Sequence, residues 1–363
     1  MDTTILERVC ASIVPLDSAL LDQARERLNR LTKPIGSLGR LETLAAQYVA
    51  MTGELMPPIP ASLVVVMAAD HGIAAEGVSA YPACVTRQMV QNFLRGGAAI
   101  TVLARRVGAT LWVVDMGVAA ELGDPPGLIT NKIGPGTKNF RYQPAMTRTQ
   151  ALAAIESGIA LAQKAWEQGA RLLAIGEMGI GNTTASAAIA AAMTGQPVRE
   201  VTGHGTGIDA GTWERKVQLI EQALQRHRPD PRDPIDILGK VGGFEIGGLA
   251  GVILGAAARR MPVVLDGFIT GASALLAVGF NPSCRAYLFA SHRSVERGHE
   301  VILRHLDLDP LLDLDLRLGE GTGACLAINL IQAAIALYTG MATFDEAGVD
   351  GPVDSTMTSS FDS

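Results

Sequence analysis

A repeated switch of hydrophobic period constrains this chain more than any other feature. Apolar runs of strand length stand at 63–68, 110–114, 171–175, 262–265 and 285–289, each too short to make a convincing helix. Between them lie long Ala- and Leu-rich segments with helical spacing, at 149–169, 185–193, 216–226 and 247–260. Strands that alternate with helices predict βαβ units, and so an α/β, Rossmann-like class: an open, mostly parallel sheet flanked by helices. The two chain ends depart from this pattern. Residues 4–52 carry helical patterns at 20–31 and 38–51, separated by the breaker TKPIGS, and residues 324–340 are helical again. The expected division is therefore 1–55 as a helical part of a small domain, 56–323 as the parallel catalytic domain, and 324–349 as helix packing with the small domain. Residues 350–363 are polar and without period, and are expected to be a loose tail.

Composition removes several function classes. Apolar residues make up 48% of the chain and charged ones 18%, enough apolar surface for a buried core. The net charge of −6 supplies no general attraction to a nucleic acid or an anionic membrane, so neither is an expected partner. Cys10, Cys84, Cys284 and Cys325 form no CxxC pair, which predicts reduced thiols rather than a zinc cluster or a disulfide framework. The opening MDTTILERVC lacks the basic-then-apolar layout of a secretory signal, so a cytoplasmic location is expected. The apolar stretches 244–258 and 324–338 fall short of a membrane span and read as buried helices.

Ligands of parallel sheets bind beyond the carboxyl ends of the strands, so the residues that follow each apolar run matter most. They are Asp70, His71 and Gly72; Asp115 and Gly117; Gly176 and Glu177; Asp266 and Gly267; and Ser291 and His292. Loops favour Gly and Asp in any case, but five such edges together point to a site. The 40 glycines gather in loops, notably GPG (134–136), GEMGIGNTT (176–184), GHGTG (203–207) and GEGTG (319–323). Glycine lets backbone N–H groups approach an anion, and GEGTG runs straight into a helical pattern, so it is expected to cradle phosphate. None of these loops matches the P-loop or the dinucleotide fingerprint. Two carboxylates, Glu177 and Glu320, sit inside the glycine clusters. Near phosphate a carboxylate's pKa rises, which suits a general base; the alternative is that each merely complements a helix N-terminus. The histidines show no ligand spacing, so no metal and no cofactor are expected.

The motifs LTKPIGSLGRLE (31–42), ADHGIAAEGVSAYP (69–82), VTRQMV (85–90), GEMGIGNTTAS, KVGGFEIGGLAG (240–251), LDGFITGASAL and RLGEGTGA (317–324) resemble those of the nicotinate-nucleotide:dimethylbenzimidazole phosphoribosyltransferases. They appear in that family's order across residues 30 to 340. The resemblance implies a homodimeric pentosyltransferase of cobalamin synthesis that moves phosphoribose from nicotinate mononucleotide to 5,6-dimethylbenzimidazole, inverting the anomeric carbon. By the same resemblance Glu320 is the general base and Glu177 a second carboxylate that either steadies positive charge on the ribose or assists the base. Tyr81, Gln88, Met89 and Leu318 are implied to line the benzimidazole slot, with core packing the alternative for Tyr81 and Met89. Phosphate and ribose are implied to meet Gly181, Asn182, Thr183, Gly205, Lys216, Ser294 and the backbone of Gly321, Thr322 and Gly323, with Asp266, Arg317 and Gly319 in the same substrate-binding set. For Lys216 the alternative is a solvated helix turn. Many relatives carry Arg where His204 stands and Pro where Ile35 stands, so phosphate binding could depend on pH here. Rival expectations are another aromatic acceptor (benzimidazole, adenine or a phenol), or a non-catalytic nucleotide-binding subunit.

Overall fold

A computed structural model describes residues 4–205 and 207–351, so the expected tail lies almost wholly outside the described residues. By internal contacts the chain divides into two units, Met1–Pro15 with Ala61–Asn329, and Leu16–Pro60 with Leu330–Ser363. Residues 4–15 thus go with the sheet rather than with the helical end of the chain. The helix Ile5–Ser12 packs on the helices Phe244–Ala258 and Arg148–Glu167. Asn281 Nδ2 and Tyr287 Oη then tie down the segment through the carbonyls of Cys10 (2.7 Å) and Val14 (2.9 Å). The later boundary falls inside the helix Thr322–Gly340, not ahead of Ala324.

The first unit is built on six parallel strands: β1 (Ser62–Ala69), β2 (Thr110–Gly117), β3 (Leu128–Thr130), β4 (Leu172–Met178), β5 (Val263–Leu265) and β6 (Leu288–Ala290). Their order is β3-β2-β1-β4-β5-β6, so the direction of winding reverses between β1 and β4. A crevice opens at the carboxyl ends at such a reversal. All eight residues of β1 are buried, which is why its sequence reads as a continuous apolar run and not as an alternation.

One local expectation is corrected. Of the run 285–289, only its end is strand. Asn281 caps a 3-10 helix, Pro282–Tyr287, and β6 begins after it. The short strands β3, β7 (His292–Arg293) and β8 (Leu312–Asp313) have too few residues to show a period.

The helix Phe244–Ala258 is apolar all round and buried from Phe244 to Ala257, as a helix with no polar face must be. It meets the helix Arg148–Glu167 backbone to backbone. A Cβ on Gly158 would lie 1.8 Å from the Gly248 carbonyl oxygen, and one on Gly251 would lie 1.9 Å from that of Ile155. Glycine is therefore the only residue that allows this approach.

In the second unit the helices Ser18–Arg30 and Arg40–Thr52 pack together, and the breaker between them places Lys33 Nζ 2.7 Å from Glu42 Oε1. The helix Thr322–Gly340 has 19 residues and is, by length and composition, apolar enough to cross a membrane, which corrects the shorter stretch expected there. A core helix passes the same test, and here Ala324, Cys325, Ala327, Ile328, Ile331 and Ile335 are buried inside the protein.

Candidate active site

A cavity of about 350 Å³ opens beyond the carboxyl ends of β4, β5 and β6. Each strand delivers its next few residues as wall: Glu177 to Ile180 after the body of β4, Asp266 to Ile269 after β5, and His292, Ser294 and Glu296 after β6. Arg317 to Glu320 close one side, and Tyr81, Val85 and Met89 another. The ends of β1 and β2 contribute no wall residues. Asp70 accepts from the Ala119 N–H (2.7 Å), Asp115 from the N–H groups of Gly117 and Val118, and His71 Nε2 lies 2.5 Å from Glu245 Oε1. These side chains brace the loops beneath the cavity instead of entering it. Gly179 of the MGIGN loop rides on this pair, since a Cβ there would come within 3.3 Å of both His71 and Glu245.

Three carboxylates crowd together. Burial, the neighbouring Asp266 and Glu245 push Glu177 up to about 8, and Asn182, which donates to its Oε2, opposes the rise only in part. Burial also raises Glu320, offset by the backbone N–H of Ile100. Its Oε2 is buried and has no hydrogen-bond partner among the described residues, as expected of a group that awaits a ligand. Glu320 has φ of +64° between Gly319 (+85°) and Gly321 (+88°), a left-handed run that costs on the order of 1–3 kcal/mol for the non-glycine residue.

Asp266 holds that run in place. One oxygen accepts from the N–H groups of Gly323 (2.7 Å) and Ala324 (3.1 Å), the other from Gly321 (3.2 Å). Burial pushes Asp266 up to about 7 against the pull of these three N–H groups. The loop also crosses β4 where only glycine fits, because a Cβ on Gly176 would lie 2.3 Å from Gly321 N. The expected phosphate cradle at 321–323 is thus corrected. The N–H groups of Gly321 and Gly323 already serve an internal carboxylate, and the Thr322 hydroxyl donates to the Gly319 carbonyl (2.8 Å).

A buried cation stands behind the same wall. Lys216 is 1% exposed, which excludes a solvated helix turn, and its Nζ donates to Thr183 Oγ1 (2.9 Å). Burial pulls its pKa down to about 8, against the attraction of Glu296. It stands behind Thr183 and Gly205, which do line the cavity. The helix Asn182–Thr194 begins beside them from Gly181, with φ of +97° and no side-chain cap.

A phosphoribosyltransferase family model (DBI_PRT) matches residues 13–349. The nicotinate-nucleotide–dimethylbenzimidazole phosphoribosyltransferase of Roseiflexus sp. (strain RS-1) is 59% identical over 97% of this chain and 99% of its own, and that of Geobacter sulfurreducens is 56% identical over 95% and 98%. The chain belongs to this phosphoribosyltransferase family. The crystal structure of CobT from Thermus thermophilus superposes with a TM-score of 0.89, at 49% identity, covering 92% of this chain and all of that one.

Of the motif residues of this phosphoribosyltransferase, Glu177, Glu320, Tyr81, Met89, Asn182, Thr183, Gly205, Asp266, Ser294, Arg317, Leu318 and Gly319 all line the cavity. Tyr81 and Leu318 are 55% and 57% exposed, so core packing does not explain Tyr81. Gln88 is exposed outside the cavity wall, and Gly181, Lys216, Gly321, Thr322 and Gly323 stand behind it. His204 stacks on Trp213 (5.9 Å between centroids) and its Nδ1 meets the Ile208 carbonyl, so it braces its own loop. His292, Glu296 and Phe268 line the cavity although sequence reasoning assigned them no part in substrate binding. Only the strand-end position of His292 signalled it. Among the described residues no group of three or more His, Cys, Asp or Glu side chains is placed to hold a metal ion.

Proposed function

We infer that this phosphoribosyltransferase moves phosphoribose from nicotinate mononucleotide to 5,6-dimethylbenzimidazole, giving α-ribazole 5′-phosphate and nicotinate in the assembly of a cobalamin nucleotide loop. The observation that carries the reading is a single cavity that brings together a buried lysine behind Thr183, an uncapped helix N-terminus at Asn182 and three buried carboxylates. The lysine and the helix N-terminus suit a phosphate. The carboxylates suit the cation at the reacting centre, where a pyridinium leaves and positive charge spreads onto the anomeric carbon.

Nicotinate departs as a neutral ring nitrogen and needs little help from an acid. The incoming benzimidazole attacks the anomeric carbon with one nitrogen while the other gives up its proton. Glu320, with its unpartnered Oε2, takes that proton, and such transfer contributes about 10²–10⁴-fold. Attack from the face opposite the leaving group converts a β-nucleotide into an α-riboside. Glu177 keeps its proton below about pH 8 in the empty site, and a bound cation favours its ionised form. Tyr81, Met89 and Leu318 form the apolar side against which a flat base lies. We also read the protein as a cytoplasmic homodimer, a reading supported by the family resemblance and by the exposed apolar Tyr81 and Leu318 beside the cavity.

The test incubates the protein with nicotinate mononucleotide and, separately, dimethylbenzimidazole, benzimidazole, adenine and phenol, following nicotinate and riboside by chromatography. Acceptor-dependent α-riboside formation, fastest with dimethylbenzimidazole, is the expected result. Binding of the nucleotide without transfer to any acceptor would overturn the reading in favour of a non-catalytic subunit.

A further inference from the structure

His292 lines the cavity together with Asp266, Ser294 and Glu296. On one side follow Ser294 and Glu296, the latter acting on Lys216; on the other, its ring packs so tightly on Gly323 that a Cβ there would lie 1.9 Å from Nδ1. The side chain is 2% exposed yet lines the cavity. Its proton can be located from its neighbours. Ser291 Oγ lies 3.1 Å from the Asp266 carbonyl oxygen and 2.9 Å from His292 Nδ1. A carbonyl only accepts, so the single hydroxyl proton of Ser291 goes to Asp266, and the hydroxyl oxygen is left to accept from Nδ1. The Asp266 carboxylate, 3.8 Å from Nδ1, favours the same tautomer. Nε2 then carries a lone pair, and it has no hydrogen-bond partner among the described residues. Burial drives the imidazole down to about 4, so it stays neutral and keeps that lone pair at neutral pH. The adjacent His299 accepts from the Ser294 N–H through its own Nδ1 (3.1 Å) and is likewise held neutral by burial, down to about 3.

A lone pair on a neutral, buried ring nitrogen takes a hydrogen bond from an O–H or N–H donor. Between a phosphate and a reacting anomeric carbon lies the ribose, whose hydroxyls are such donors. We propose that His292 reads one ribose hydroxyl of the mononucleotide, accepting its hydrogen bond at Nε2 while Ser291 fixes the ring through Nδ1. This assignment rests on the phosphoribosyl-transfer reading for the identity of the nucleotide. It makes His292 a determinant of ribose over deoxyribose and gives it no part in moving the benzimidazole proton.

The test compares nicotinate mononucleotide with its 2′-deoxy and 3′-deoxy analogues, using wild type and His292→Phe. Affinity is read by calorimetry and kcat/KM by product formation. The expected loss for His292→Phe is about fivefold with the ribonucleotide and under twofold with one of the deoxy analogues, since a net hydrogen bond of about 1 kcal/mol is present in only one case. An equal loss with all three nucleotides would overturn the assignment, as would wild-type binding of both deoxy analogues as tight as that of the ribonucleotide. If the phenylalanine variant does not fold, ¹⁵N-histidine spectra of the wild type decide. An Nδ1–H tautomer whose bare Nε2 signal moves on adding the ribonucleotide is expected, and an Nε2–H tautomer or an unmoved signal refutes the assignment. Because calorimetry needs no turnover, a protein that binds the nucleotide but transfers nothing would sink the reaction while leaving His292 to be judged on binding alone.

Discussion

Two glycine-rich loops in this molecule open helices at the same cavity, and they do opposite things with the helix N-terminus. At Gly181 the helix Asn182–Thr194 starts without a side-chain cap, next to Thr183 and the buried Lys216. At GEGTG the helix Thr322–Gly340 starts with its N–H groups already taken by Asp266. Both ends offer the same positive dipole. What separates them is whether another part of the chain supplies the anion. An occupied N-terminus becomes a rigid mount, here for Glu320 in a left-handed conformation, while an open one beside a lysine remains a place for a phosphate.

The sharpest way to break this contrast is to remove the mounted group. Glu320→Gln is expected to lower kcat/KM for riboside formation by about 10²–10⁴-fold while leaving nicotinate mononucleotide affinity within a few-fold. Activity untouched by the change would move the base elsewhere, with Glu177 next. The opposite pattern is expected at the open end. Lys216→Met removes a charge-assisted contact of about 1.5–3 kcal/mol, so calorimetry should show affinity weakened by roughly 10- to 100-fold. In the wild type that affinity should also decline as pH rises through about 8, where Lys216 loses its proton in the empty site.

Asp266→Asn tests which loop binds phosphate. Asn keeps one acceptor oxygen but turns an NH2 group toward N–H groups that Asp266 satisfies, which is expected to cost about 1–3 kcal/mol in urea unfolding, with nucleotide affinity changed far less than by Lys216→Met. A gain or loss of affinity comparable to that of Lys216→Met would mean that phosphate sits at GEGTG after all. The smallest expected effect concerns pH and stability. Glu177 is pushed up to about 8 in the folded chain from 4.5, so its ionisation opposes folding. The stability it contributes is complete below about pH 4.5 and is lost as pH rises toward 8. Glu177→Gln should therefore melt progressively higher than wild type between about pH 5 and 8.5, and a constant gap in Tm across that range would show that Glu177 is not a buried, ionising acid.

Much of the architecture follows from local sequence. Residues of β1, β2, β4 and β5 stand out because strands buried on both faces need continuous apolar runs, and the intervening helices because they are long enough to repeat. Strands β3, β7 and β8 were invisible because two or three residues cannot display a period. Within the site, Glu177 and Glu320 were legible because a carboxylate inside a glycine loop is chemically out of place. His292 is legible in the sequence only as a strand-end residue, because its meaning depends on where its proton lies, and that is set by Ser291 and Asp266 together.

The sequence by itself determined the alternation of strands and helices, the glycine-rich strand ends and the two carboxylates placed among them, since each is a property of neighbouring residues. Only the tertiary structure decided what those loops are for. Asp266 reaches GEGTG across 55 residues of chain and Lys216 reaches Thr183 across 33. Whether a helix N-terminus is filled or open depends on which distant charge the fold delivers to it, and no local pattern records that.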